Sequence, residues 1–208
     1  MKKLLFSAVA LTAVTITSAS AQAFEGFSFG PKTGVNISSF TDADNTKALL
    51  GLTAGAFAEY GLNNWFALSA DVLYSRQGVA FKDYSFEGVN YSDKATLDYL
   101  NVPVLANFYI AKGLALKAGL QPGFLLGAKN ISEANGQKET VDMKDVTNSF
   151  DLSVPVGISY SLNCGLIIDA RYNIGVTKLP KEDLDNDGYS DGLNSRNGVF
   201  TVALGWRF

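Results

Sequence analysis

The ten residues at the carboxyl end, 199–208, alternate so strictly that an extended strand is the element they suit. Phe200, Val202, Leu204, Trp206 and Phe208 fall on one face, and Thr201, Ala203, Gly205 and Arg207 on the other. In water, a terminal strand of this kind would expose an edge and a whole apolar face. In a barrel embedded in a bilayer, the same face meets hydrocarbon and the aromatics near its end sit at the interface. The competing reading is an amphipathic edge strand of a water-soluble sheet.

The amino end favours the membrane. Met1, Lys2 and Lys3 form a short basic region, residues 4–17 are mostly apolar, and Ala19, Ser20 and Ala21 make a small-x-small cleavage site. This predicts a secretory signal peptide over residues 1–21 and a single barrel domain over residues 22–208. No Cys follows the cleavage site, which argues against a lipoprotein. Without Lys2 and Lys3, 15 basic residues face 20 acidic ones, a formal net charge of −5 that does not suit nucleic acid. The chain has no His, which removes the commonest general base and histidine metal sites, and a single Cys, so no intrachain disulfide forms. After residue 21 no run of 18 apolar residues occurs, so a transmembrane helix is not expected.

Period-two alternation recurs along the rest of the chain. It predicts eight strands at about 27–39, 50–62, 65–81, 97–110, 114–129, 149–162, 166–178 and 199–208. Alternation sustained over ten or more residues is longer than soluble sheets usually show. The links at 61–64, 111–113 and 163–165 are tight, whereas those at 40–49, 82–96, 130–148 and 179–198 are long and polar. Short turns at one end and long loops at the other predict an all-β, eight-stranded, antiparallel up-and-down transmembrane barrel with short periplasmic turns and long extracellular loops. Tyr60, Trp65, Phe66, Phe108, Tyr109, Tyr160, Trp206 and Phe208 cluster near the tight turns and predict an aromatic girdle there. Tyr74, Phe81, Tyr99, Phe124, Phe150 and Tyr172 are candidates for other depths or the upper rim. Pro103 and Pro155 lack an amide donor and predict bulges or local irregularities.

Three segments together resemble the PorT-like outer-membrane β-barrel family. They are Tyr99-Leu100-Asn101-Val102-Pro103, then Gly119 to Gly123 with Pro122, and an opening strand with Gly30, Gly34, Asn36 and Ser38. The resemblance covers the whole mature chain. It implies an outer-membrane location and eight strands, and it carries over no catalytic residue. Some family members assist protein secretion. The terminal Trp206 and Phe208 also resemble the signal read by the barrel assembly machinery during biogenesis.

An eight-stranded barrel is filled by its own side chains. The charges on the inward faces, Lys32, Lys117, Arg171 and Arg207 against Glu59, Asp71, Asp151 and Asp169, are therefore expected to form a paired network. Outer-membrane lipid is the expected surroundings of a monomeric barrel, because a closed barrel has no edge that demands a partner. Three functions follow. One is a non-enzymatic barrel with an envelope structural role or an accessory role in a secretion or envelope complex. Another is a surface binding or adhesion protein acting through its loops. The third, a lipid-modifying or proteolytic enzyme, is disfavoured by the missing His and by the lack of a clustered nucleophile and base.

The long loops hold further candidates. Asp183, Asp185, Asp187 and Asp191, with Gly188, match the opening of a calcium loop of the EF-hand type, although Asn194 stands where a bidentate Glu is usual. No other cofactor is expected. The loop at 131–148 reads as a mobile charged segment, while that at 82–95 keeps its alternation and reads as a hairpin extension. Cys164, in a tight turn, reads as an incidental thiol. The double variant Asp185→Asn with Asp187→Asn is expected to abolish any rise in thermal midpoint caused by calcium; a variant that keeps the rise refutes the calcium reading.

Overall fold

The structure, a computed structural model, describes residues 26–41, 46–81, 84–86, 89–134, 137–179 and 196–208. The proposed signal peptide and the aspartate-rich segment with Asp183, Asp185, Asp187 and Asp191 lie outside these residues. The described strands are β1 (Gly26–Thr41), β2 (Thr46–Asn63), β3 (Phe66–Phe81), β4 (Tyr84–Phe86), β5 (Val89–Asn101), β6 (Val104–Ala111), β7 (Leu114–Ala134), β8 (Gln137–Asp142), β9 (Phe150–Ser161), β10 (Leu166–Gly175) and β11 (Arg196–Trp206). Every pairing is antiparallel.

β1 pairs with β2 on one side and with β11 on the other, so the sheet closes on itself. The ring runs β1, β2, β3, β5 continued by β6, β7, β9, β10 and β11. That makes eight staves, and closure leaves no unpaired edge within the ring. β5 and β6 form one stave broken at Val102 and Pro103. The register against β3 is unchanged across the break, with Leu73 opposite Asn101 and Ala70 opposite Val104. The Pro103 carbonyl still accepts from Asp71 N at 3.0 Å, and Val102 N donates to the Pro122 carbonyl at 2.9 Å. At Pro155 the pairing of β9 with β7 pauses between Val156 and Ser153, then resumes in the same register. Neither proline marks a bulge. Register shifts fall elsewhere among the described residues: between Ala48 and Thr53 and between Gly61 and Asn63 of β2, at Asp98/Tyr99 against β7, and between Tyr109 and Ala111 of β6.

Burial follows the two-residue period, with the usual sense inverted. The large apolar side chains face out: Phe27, Phe29, Val35 and Ile37 on β1, Leu50, Leu52 and Tyr60 on β2, and Phe200, Leu204, Trp206 and Phe208 on the last stave. The polar side chains that alternate with them, among them Ser28, Lys32, Asn36, Glu59 and Thr201, are buried. Such an exterior suits hydrocarbon, where an apolar belt costs nothing and an interior of paired polar groups is sealed from lipid. One expected girdle member, Tyr109, turns inward instead at 4% exposed, and so does Tyr99 at 1%, a candidate for another depth or the upper rim. Both lie on the inward parity of their stave, and ring chemistry alone does not reveal that.

The two ends differ. At one end the links between β2 and β3, β6 and β7, and β9 and β10 are tight turns, and exposed Cys164 lies in the last of these. Gly26 and Trp206 lie at this same end. At the other end the strands run on as hairpins. β4 pairs with β5, and β7 continues to Ala134 and pairs with β8, so residues 131–134 and 137–142, in a segment expected to be mobile, form an ordered ladder. Charge-rich composition hid this hairpin, because an extension into water has no apolar face to signal it.

Closure depends on close backbone approach at the seam. A Cβ on Gly30 would lie 1.6 Å from the Trp206 carbonyl oxygen, a backbone atom that cannot rotate away. Gly127 has nothing within 4 Å of such an atom. Gly30→Val is therefore expected to lose most of the compact, heat-modifiable form on unheated gels, whereas Gly127→Ala should retain it; a Gly30→Val protein that folds normally would refute the seam argument.

Candidate functional site

The inward polar residues of β1 climb the lumen in the order Ser28, Lys32, Asn36, Ser38. The layer nearest the short turns is built on Glu59 of β2. Glu59 accepts from Arg207 Nη2 at 2.7 Å, from the Tyr109 hydroxyl at 2.7 Å and from Asn107 Nδ2 at 3.0 Å. Asn107 also donates to Ser69 Oγ at 3.0 Å. Arg207 has thus crossed β1 to reach the second stave.

Above it lies a five-charge cluster at the centre of the barrel. Lys32 Nζ stands 2.8 Å from Asp71 Oδ2 and 3.7 Å from Asp169 Oδ2. Lys117 Nζ meets Asp169 Oδ2 at 3.0 Å. Arg171 reaches Asp71 Oδ2 at 3.2 Å through Nη2 and Asp169 Oδ1 at 2.8 Å through Nε. The Nε contact is close but off the N–H direction, so it acts as a charge contact rather than a hydrogen bond. Lys32 Nζ also lies 5.3 Å from the centre of the Phe57 ring, a cation–π approach. All five charged side chains are nearly inaccessible to solvent.

Glycines make this packing possible. Lys32 is flanked in register by Gly55 and Gly205, and Gly157 lies between Lys117 and Arg171. Placing a long cation beside a residue with no side chain lets it cross a lumen that admits few atoms.

Asp151 does not join the cluster. It is buried at the level of Gly123, and its partner is Thr177, whose hydroxyl donates to Oδ1 at 2.6 Å. The expectation of one network holding all eight charges is corrected accordingly. Five form the central cluster, Glu59 and Arg207 form a separate pair, and Asp151 stands apart because its position on β9 is too far toward the loops.

Sequence reasoning missed a belt of neutral polar groups next to the central cluster. Asn173 Nδ2 donates to Thr201 Oγ1 at 3.2 Å, Thr201 to Asn36 Oδ1 at 2.9 Å, and Asn36 Nδ2 to Ser75 Oγ at 2.8 Å. Asn197 Nδ2 reaches Gln77 Oε1 at 3.0 Å, and Gln77 Nε2 reaches Ser75 at 2.9 Å. The signal was present: all six residues share the inward parity of their strands. Toward the loop end, Leu97, Tyr99, Leu125, Ala128 and Leu179 close the lumen with an apolar cluster, packed by Phe40 and Met143.

On the outside, Trp206 and Phe208 are exposed at the short-turn end. Phe208 N donates to the Phe29 carbonyl at 2.9 Å, and the two rings lie 6.1 Å apart. Among the described residues no group of three or more acidic, Cys or His side chains is placed to hold a metal ion. No helix in the described residues is long and apolar enough to cross a membrane, so any crossing is by strands.

A closed ring of eight staves with an apolar exterior and a polar, ion-paired lumen defines an integral outer-membrane β-barrel. The chain belongs to the outer membrane protein beta-barrel domain family, whose pattern it matches over residues 18–180. No curated protein sequence matches it. Among solved structures it is similar to Ail, the attachment invasion locus protein of Yersinia pestis. That match has 19% identity and a TM-score of 0.52, covering 89% of this chain and 100% of Ail. Neisserial surface protein A matches at 16% identity and a TM-score of 0.47, covering 88% of this chain and 98% of that one. OprG of Pseudomonas aeruginosa matches at 16% and 0.45, covering 90% and 98%. The likeness to Ail is one of fold.

Asp169→Asn leaves three buried cations to share the single carboxylate of Asp71. It is expected to cost about 3–5 kcal/mol of unfolding free energy in urea titrations in detergent, as removal of one partner from a buried ion pair does. Asp151→Asn keeps an acceptor for Thr177 and is expected to cost less than about 1 kcal/mol, the scale of a neutral hydrogen bond. Equal losses in the two variants would refute the division of the lumen into a charged cluster and a separate Asp151.

Proposed function

We propose that the protein is a non-enzymatic, non-conducting outer-membrane barrel with an envelope structural role or an accessory role in a secretion or assembly complex. The observation that carries this reading is the sealed lumen. Lys32, Asp71, Lys117, Asp169 and Arg171 meet across its centre with almost no solvent access, and an apolar cluster follows toward the loops. Such a filling supports a plug and a scaffold rather than a pore. It also argues against catalysis. The chain has no His, and among the described residues Glu59, Asp71 and Asp169 are each engaged by a cation, while Asp151 is buried and accepts from the Thr177 hydroxyl. The sequence resemblance to PorT-like barrels supports the secretion accessory in particular.

A second reading, surface binding or adhesion, draws support from the hairpins at the loop end. β4 with β5 and β7 with β8 carry ordered backbone beyond the apolar belt, whereas among the described residues the strands at the other end are joined by tight turns. Ail is named for attachment and invasion, and the fold shared with it is compatible with this reading. The aspartate-rich segment with Asp183, Asp185, Asp187 and Asp191 is proposed as a weak calcium site within that surface. The closed ring supports a monomer, and exposed Trp206 and Phe208 support recognition by the barrel assembly machinery during biogenesis.

Reconstituted in planar lipid bilayers, the protein is expected to pass no steady current; stable open-channel steps would overturn the sealed-lumen reading. Mild crosslinking in outer membranes, followed by affinity capture and mass spectrometry, separates the two roles. A stoichiometric envelope or secretion component supports the accessory role. Recovery of the barrel alone refutes it and favours a free-standing surface protein.

A further inference from the structure

The apolar belt ends at the same height on three adjacent staves. On β3 the outward positions Leu68, Ala70, Val72 and Tyr74 give way to Arg76. On the next stave Val104 and Leu100 give way to Asp98, Thr96 and Lys94, and on β7 Phe124 and Leu126 give way to Lys129. The register sets these polar positions side by side: Arg76 opposite Asp98, Thr96 opposite Lys129, and Lys94 opposite Ile131. Lys138 joins them from β8. The result is an external hollow of about 400 Å³ lined by Arg76, Lys94, Lys129 and Lys138, with Leu50 and Ile131 beside them.

Its charge is unbalanced. Asp98 is the one carboxylate in the lining, and it is already occupied. Arg76 grips it with Nε at 2.8 Å and Nη2 at 3.2 Å, and the Tyr74 hydroxyl donates to it at 2.6 Å. Glu133 and Asp142 stand opposite Lys138 and Lys129 in register, yet among the described residues no carboxylate forms an ion pair with Lys94, Lys129 or Lys138. Lys94 and Lys129 are diagonal neighbours on adjacent strands, about 7–8 Å apart at the backbone. Three ammonium groups therefore face one hollow at the upper border of the hydrocarbon layer. Below them, Leu50, Leu52, Val72 and Leu126 offer an apolar wall for acyl chains.

We propose that this hollow is a binding site for a phosphorylated, multiply acylated glycolipid of the outer leaflet, with its phosphates held by Lys94, Lys129 and Lys138 and its chains laid along the barrel wall. Two features select this ligand over a soluble anion. The cations stand at headgroup height, where juxtamembrane Lys and Arg attract anionic lipid. The apolar staves directly beneath supply the surface that a free phosphate would not use. A headgroup with two phosphates matches several separated ammonium groups better than a lipid with one. Arg76, committed to Asp98, positions the rim rather than binding the ligand.

The test uses the full-length protein in detergent and native mass spectrometry, with bisphosphorylated lipid A as the probe. Lys94→Gln, Lys129→Gln and Lys138→Gln combined should retain a wild-type heat-modifiable gel shift, since all three side chains are outside the lumen. Retention of one lipid A molecule is expected to weaken about a hundredfold in this variant, the effect of three lysines at an anionic membrane surface. It should not change in Lys112→Gln, an exposed position at the opposite end. Lipid A stripped of phosphate should bind as weakly to the wild type as intact lipid A does to the triple variant. Equal retention of intact lipid A by wild type and triple variant, or of intact and dephosphorylated lipid A by the wild type, overturns the site. Equal retention of phosphatidylglycerol overturns the glycolipid assignment, and displacement of lipid A by millimolar inorganic phosphate overturns the requirement for acyl chains.

Discussion

Asp169 is the point on which the interior depends. Cations from three staves, Lys32 of β1, Lys117 of β7 and Arg171 of its own β10, converge on one fully buried carboxylate. In a lumen without bulk water a lone charge is costly, and these charges are tolerable only because each has an opposite neighbour. The requirement reaches back to the wall. Long side chains that must meet at the axis cannot stand beside other bulky inward residues, so glycines at 55, 157 and 205 flank them in register. Lumen electrostatics thus dictates where the strands carry no side chain, and the missing side chains permit the strands to approach as closely as the ring requires.

The outer surface obeys a different solvent. Its apolar residues are arranged for a layer of defined thickness, and the change from Tyr74 to Arg76, or from Leu126 to Lys129, marks where that layer stops. Polar residues on the exterior therefore carry positional information that polar residues on a water-soluble protein do not. The tight turns and the hairpins sort the two ends in the same way: one end offers little surface, and the other carries paired strands well past the apolar belt.

Much of this was legible in the sequence, because a period of two is a property of the chain itself. Eight staves, their faces, the three tight turns and the identity of the inward charges all follow from alternation. What alternation does not contain is height along the axis. Asp151 shares the inward parity of Asp169, yet it sits at another level, and only the stagger between strands reveals this. Ring chemistry suggests the aromatic girdle for Tyr109 and another depth or the upper rim for Tyr99, whereas the parity of both points inward. The prolines mark local irregularities, as expected, rather than bulges. A missing amide predicts a lost hydrogen bond, but whether the ladder then slips or merely skips a rung depends on the partner strand, and here it skips. The β7–β8 hairpin was hidden because both of its faces meet water, leaving no periodic signal.

The contact between Arg207 and Glu59 links the last stave to the second, 148 positions apart, over the top of the first. Until β11 has docked against β1, Glu59 lacks the Arg207 guanidinium that it accepts from in the closed ring. The pair is therefore a latch: it rewards only the finished circle and contributes nothing to any open, curling sheet that precedes it. A chain built this way gains its final stabilisation in one closing event at the seam, so a barrel opened at β1 and β11 loses ladder and latch together rather than fraying strand by strand.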